Sequence, residues 1–277
     1  MFKGVDKIVE YNIKRWNGSY HIILGIIYII MITDMMLKPA RELIELLNVH
    51  PETFAFPLLW NSTFFLMLFY FGVIIFFSDA PFGDTMAQFI IIRCGKMKFV
   101  LGQIVYIVFM GIIIPLMFFV IQAVMLPVEL QNKWGKFWGT MAQTDVATQV
   151  GCRINFSYHI LWDYKPYIAT IITMALCILL TIMTGLALYL FCLLNKKVLG
   201  ICIISLFLIL PNVVEWLNFT TFYWLSPYSW ICLDTTMKNY NGSLPSLGYA
   251  FFMLSTIISF LIIGIILRVK NMQELPL

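Results

Sequence analysis

Residues 167–194 read YIATIITMALCILLTIMTGLALYLFCLL, with no Asp, Glu, Lys or Arg at any position. A helix rises about 1.5 Å per residue and the hydrocarbon core of a bilayer is about 30 Å thick, so about 20 such residues suffice to cross it. Five more charge-free apolar stretches accompany it, at Trp16–Thr33, Phe54–Phe77, Phe99–Leu126, Val198–Val214 and Leu247–Leu267. Together they predict an all-α, polytopic membrane protein, a single transmembrane domain over 1–277 with six transmembrane helices at about 16–37, 54–78, 99–126, 166–194, 198–217 and 246–268.

Composition agrees. The chain is 61% hydrophobic and only 12% charged over 277 residues, about half the charge of a soluble domain. The spans leave modest loops and no room for a separate soluble catalytic domain. The first span is full length and follows a charged, amphipathic segment, so it reads as a retained helix rather than a cleaved signal peptide. With both termini on the cytoplasmic side, the inner segments hold eleven Lys and Arg and the longer outer segments seven. That is the expected inward bias. The net charge of +4 reflects this bias and gives no reason to invoke nucleic acid.

Val5, Ile8, Val9, Asn12, Ile13 and Trp16 share one helical face, with Lys3, Lys7, Glu10 and Lys14 off it. This predicts an interfacial amphipathic helix over 2–16, lying in the headgroup region with its lysines toward anionic lipid. Lys38–Phe56 reads as a short outer loop with one or two helical turns over Ala40–Leu47. Between spans two and three, Ser78-Asp79-Ala80-Pro81-Phe82-Gly83-Asp84-Thr85 is dense in helix-start signals. A short helix from about Asp84 to Ile92 follows, presenting Met86, Phe89, Ile90 and Arg93 on one side, with Gly95 as its stop. An apolar and basic helix in a short inner loop needs a partner surface. Two readings stand: a tight loop lying on lipid, or a docking helix for a cytoplasmic subunit.

Pro115 predicts a kink in span three, and the outer loop Pro127–Pro166 carries Trp134, Trp138, Trp162 and Tyr164 as an aromatic belt. In span four Thr173, Thr181 and Thr184 fall on one face, suited either to close helix packing or to lining a route. Asn195-Lys196-Lys197 is a tight inner turn that makes spans four and five antiparallel neighbours. Span five breaks at Pro211-Asn212, and Glu215 follows within a turn. Asn212 and Glu215 are candidates for an outer gate; Asp34 and Glu215 could each pair with an outer Arg or Lys or with a cargo, the other reading being a solvated helix end, which is preferred for Asp34 and evenly weighted for Glu215. The aromatic stretch Trp216–Trp230 is too short to span and suits an outer re-entrant segment before span six.

Cys152 and Cys232 both fall in outer loops, where a disulfide between them is one option; the other four cysteines read as small apolar residues. No Gly-x-x-x-x-Gly-Lys-Ser/Thr loop, His-Glu-x-x-His pair or Gly-x-Ser-x-Gly elbow is present. The sequence predicts no metal, no cofactor and no catalytic residues. No charge lies in mid-membrane, which argues against an ion-coupled pump.

The order of elements resembles the membrane subunit of ABC transporters of the ABC-2 type. Asp79-Ala80-Pro81-Phe82 through Ile92-Arg93-Cys94-Gly95-Lys96-Met97-Lys98-Phe99 is similar to the inner loop of small bacterial permeases of that class, and Ser226-Pro227-Tyr228 to their outer segment. The resemblance implies a permease subunit that binds no ATP itself, coupled to a cytoplasmic ABC ATPase dimer and paired with a second permease in the lipid bilayer. It also implies export of an amphipathic cargo, such as a peptide or a lipid-like or drug-like molecule. By position it makes Asp84, Met86, Phe89, Ile90 and Arg93 the coupling contact, and 2–16 the connecting helix. A composition rich in Ile, Phe, Lys and Asn points to an AT-rich bacterial genome and a plasma-membrane location, where small permeases of this kind often export antimicrobial peptides or confer immunity to them. The alternatives are a non-transporting anchor, sensor or immunity subunit, and a membrane-embedded enzyme.

Overall fold

The computed structural model describes residues 5–15, 20–78, 85–144, 151, 154, 156–236 and 244–271. Among these it contains helices and turns and no strand. In chain order the helices are α1 (Val5–Lys14), α2 (Tyr20–Leu47), α3 (Phe56–Leu59), α4 (Thr63–Phe77), α5 (Thr85–Cys94), α6 (Lys96–Met125), α7 (Gly135–Gln143), α8 (Tyr158–Asp163), α9 (Pro166–Leu193), α10 (Lys197–Leu217) and α11 (Leu247–Asn271). Two 3-10 turns, Thr220–Leu225 and Pro227–Ile231, lie between α10 and α11.

Five of these helices, α2, α6, α9, α10 and α11, are long and apolar enough to cross a membrane, so the chain is a polytopic membrane protein. The apolar run expected as span two divides instead into α3 and α4. Ser62 takes an extended backbone and its hydroxyl accepts a hydrogen bond from the Phe65 N–H at 3.3 Å, so a new helix starts there. The 15 residues of α4 rise only about 22 Å.

The bundle is organised around α9, which packs against α4, α6, α10 and α11. Of its apolar window 61% is buried, against 17% for α11. Small residues let it approach α6 closely. A Cβ on Gly185 would meet the Ile107 side chain at 2.7 Å, and Gly111 of α6 receives the Ile182 side chain in the same way. Above this seam a ring cluster closes the core. The fully buried Trp60 meets Phe65, Phe69 and Phe118 at centroid distances of 5.3, 4.8 and 5.7 Å. These are edge-on or tilted pairs that add to the burial of the rings themselves.

Several expectations shift. The apolar stripe of α1 faces protein: Val5, Ile8 and Asn12 are buried, Ile8 fits against Gly102, and the Asn12 amide donates to Gln103 Oε1 at 2.9 Å. Lys7 and Lys14 stay exposed off that face. The first long helix does not stop near Lys38. It continues through Pro39 to Leu47, because Leu37, Ala40, Leu43 and Ile44 keep a buried face in register and Arg41 pairs with Asp34 two turns back. Asp34 is therefore an ion-paired residue on a continuing helix, not a helix end. Likewise α10 does not break at Pro211-Asn212. Proline forfeits one backbone bond, which neighbouring groups in a bundle can make good, and the Asn212 amide on the next residue donates to the Thr63 carbonyl. The helix ends at Asn218, whose φ is 55°. The helix α6 holds Pro115 within an unbroken run from Lys96 to Met125.

The described part of the connection between α6 and α9 is a packed cap rather than a belt. Trp134 and Trp138 are buried, donating from their indole N–H groups to the carbonyls of Tyr164 (2.7 Å) and Thr53 (3.0 Å), while Trp162 is exposed. Cys232 is a free thiol, buried, whose Sγ donates to the Trp60 carbonyl at 3.0 Å. Burial pushes that thiol up, with the charges of Glu215 and Asp234 adding to the effect. Cys152 itself lies outside the described residues.

Candidate functional site

Three places collect the residues the sequence singles out. The first is α5, the connection between α4 and α6. The predicted helix is present over Thr85–Cys94 and ends at Gly95, whose φ of 83° only glycine adopts without strain. Ala87 is fully buried and Ile90 and Ile91 lean on the core, so they anchor one side. Phe89 is 63% and Ile92 81% exposed, and Arg93 is exposed beside them. The outward face is thus Phe89, Ile92 and Arg93, at i, i+3 and i+4. Ile90 belongs to the inward face, contrary to the expected grouping. Ile92 was passed over although its spacing from Phe89 carried the signal. Asp84 lies outside the described residues, as does the side chain of Met86. Arg93, Lys96 and Lys98 follow closely in sequence at the turn between α5 and α6.

The second place lies within the bundle. Thr173, Thr181 and Thr184 are fully buried, and each hydroxyl donates to the carbonyl four residues back, Ala169, Cys177 and Leu180, at 2.7–2.8 Å. Thr184 also shares a 2.9 Å hydrogen bond with the Tyr228 hydroxyl. Tyr70 of α4 donates to the Cys177 carbonyl at 3.3 Å and stacks edge-on against Tyr228 at 5.0 Å. Thr181, Thr184, Tyr70 and Tyr228 therefore form one buried hydroxyl cluster joining α4, α9 and the second 3-10 turn. Thr173 bonds only within its own helix among the contacts described. Neither tyrosine stood out in the sequence, since nothing local distinguishes them from other aromatic residues.

Asn212 and Glu215 form a separate clamp. Both reach Thr63 at the start of α4: the Asn212 amide donates to its carbonyl at 3.3 Å and its hydroxyl donates to Glu215 Oε2 at 2.6 Å. The clamp thus ties the end of α10 to the start of α4. Nearby, burial and then the Glu215 charge push the Tyr223 phenol up to about 12.

Chemically these groups can bind and latch. Among the described residues no three His, Cys, Asp or Glu side chains gather as a metal would require. No family model, no curated protein and no solved structure matches this chain.

Proposed function

We propose that this chain is the permease subunit of an ATP-driven exporter with the ABC-2 layout. The observation that carries the reading is α5, a short helix between two apolar helices that holds Phe89, Ile92 and Arg93 outward while its other side is anchored. Two large apolar side chains beside a fixed cation suit a protein groove better than water. In this reading α5 faces the cytoplasm, a dimeric ABC ATPase grips it, and that partner binds the ATP. Both termini are cytoplasmic, the membrane is a bacterial plasma membrane, and a second permease completes the route. The α3–α4 pair supplies the sixth crossing. The segment from Phe219 to Cys232 is re-entrant. Its Tyr228 meets Thr184, about 14 Å along α9 from Leu193 and roughly twice as far from Pro166, which favours entry to that depth. The cargo is amphipathic.

A second reading has its own support. The hydroxyls of Thr173, Thr181 and Thr184 turn back to their own helix and offer no polar path through one copy. This favours a non-transporting anchor or sensor, unless the route runs between two permeases.

Purification of the native complex in mild detergent decides the coupling assignment. An ATPase subunit should co-purify, and Arg93→Glu or Phe89→Ala should uncouple its turnover from the permease. ATPase activity indifferent to both changes would refute docking at α5. A vesicle transport assay with an active ATPase and no cargo movement would select the anchor.

A further inference from the structure

A half-enclosed cleft of about 230 Å³ opens on the side of the bundle between α10 and α11. Ala187 and Phe191 of α9 form its floor, Ile203 and Phe207 of α10 one wall, and Ile257 and Leu261 of α11 the other. Tyr228 closes one end, its hydroxyl already engaged with Thr184. We infer that this cleft holds one acyl chain of a bilayer lipid as a resident ligand.

Three observations select that occupant. The lining offers no free polar group, since the one hydroxyl pair satisfies itself, so water has nothing to bind. The three helices are all membrane-length, and Ile203 and Phe207 at the rim are partly open to the outside, so the medium at the mouth is lipid tails. The cleft has room for about eight groups of water or methylene size. Along α9 it runs from Met183 to Phe191, about 12 Å, the shape of a stretch of hydrocarbon chain. Because the bound chain lies against Tyr228, it buttresses the segment that Tyr228 pins to α4 and α9. The inference rests on the membrane setting alone and is indifferent to whether the chain exports anything.

The test reconstitutes the full chain in vesicles of phosphatidylethanolamine and phosphatidylglycerol doped with a phospholipid that carries a mid-chain diazirine. After irradiation, peptide mapping should place adducts on Phe191, Ile203, Phe207 and Leu261 at least fivefold above those on Ile23 and Leu24, which are exposed on α2. Ala187→Trp, which fills the floor, should abolish the enrichment and leave the α2 adducts unchanged. Leu261→Trp, filling from the opposite wall, should do the same where the first variant folds poorly. Adducts no denser in the cleft than on α2 would overturn the inference, as would enrichment that survives both fillings. Dominant chain-to-chain cross-links through a Phe207→Cys variant would overturn it in favour of a second copy.

Discussion

Replacing Asn12 by Leu asks whether α1 belongs to the bundle or to the lipid surface. Asn12 is 3% exposed and Gln103 is fully buried, and a single 2.9 Å amide hydrogen bond joins them. Asn12 Oδ1 and Gln103 Nε2 have no other partner. Removing Asn12 loses that bond and strips the Gln103 amide of its one described partner, a penalty of about 1–3 kcal/mol. Cross-helix bonds measured within membranes sit lower, at about 0.6 and rarely above 1.7 kcal/mol, so roughly 1–2 kcal/mol is the reasonable figure. Gln103→Leu should cost the same. The double variant removes both polar groups and should recover most of the loss, because replacing both partners by apolar groups is nearly neutral. Local opening of α1 exposes Lys7 and Lys14 to trypsin in their unfolded form. If opening is fast relative to cleavage, the rate tracks the open population, so each single variant should be cut about 5–30 times faster and the double variant close to the native rate. Equal cleavage of all four proteins, or additive losses in the double, would refute the packing of α1 on α6.

Gly185→Val should be among the most damaging single changes, with a cost of several kcal/mol read as loss of folded protein in detergent, because its side chain would collide with Ile107 at the α6–α9 seam. Thr184→Val should destabilise by about 1–2 kcal/mol in thermal unfolding, since the Tyr228 hydroxyl loses its partner at full burial, and Tyr228→Phe on that background should restore part of it. Tyr223 gives a pH signature. Its folded value lies above the ordinary phenol value, so the neutral form is the one the fold prefers; that stability is complete below about pH 10 and is lost as pH rises toward 12. Alkaline unfolding should therefore begin later in Tyr223→Phe than in the native chain.

The long apolar runs were legible because a membrane-length helix needs only composition and length, and α6, α9, α10 and α11 lie close to where those two properties put them. The helix α5 was legible too, because Gly95 and the spacing of Phe89 and Arg93 are local signals. Proline misled. At Pro211 the sequence suggests a break, yet α10 continues to Leu217, and the first long helix runs on past Lys38 because Leu37, Ala40, Leu43 and Ile44 keep a buried face in register. The break at Ser62 was hidden for the opposite reason, a modest polar pair inside an unbroken apolar run. Tyr70, Tyr228 and Thr63 were not legible at all. Their roles come from contacts between residues more than a hundred positions apart, except for Thr184 with Tyr228, and no periodicity within one helix records them.

The two polar latches differ in a way that bears on motion. The Thr184–Tyr228 pair is fully buried and neutral, and parting it leaves two hydroxyls without water. The Thr63–Glu215 pair lies at the exposed surface of the bundle, so parting it leaves no group buried without a partner. Any rearrangement of α10 against α4 should therefore start at Glu215 and Asn212 and leave the inner cluster closed. A transporter built this way would open by hinging at the Thr63 end, with the tyrosine cluster as the fixed point. Glu215→Gln tests that order: it keeps the hydrogen bond but removes its charge, so the Thr63 end of α4 should label faster at an introduced Ser62→Cys while Tyr228 stays buried.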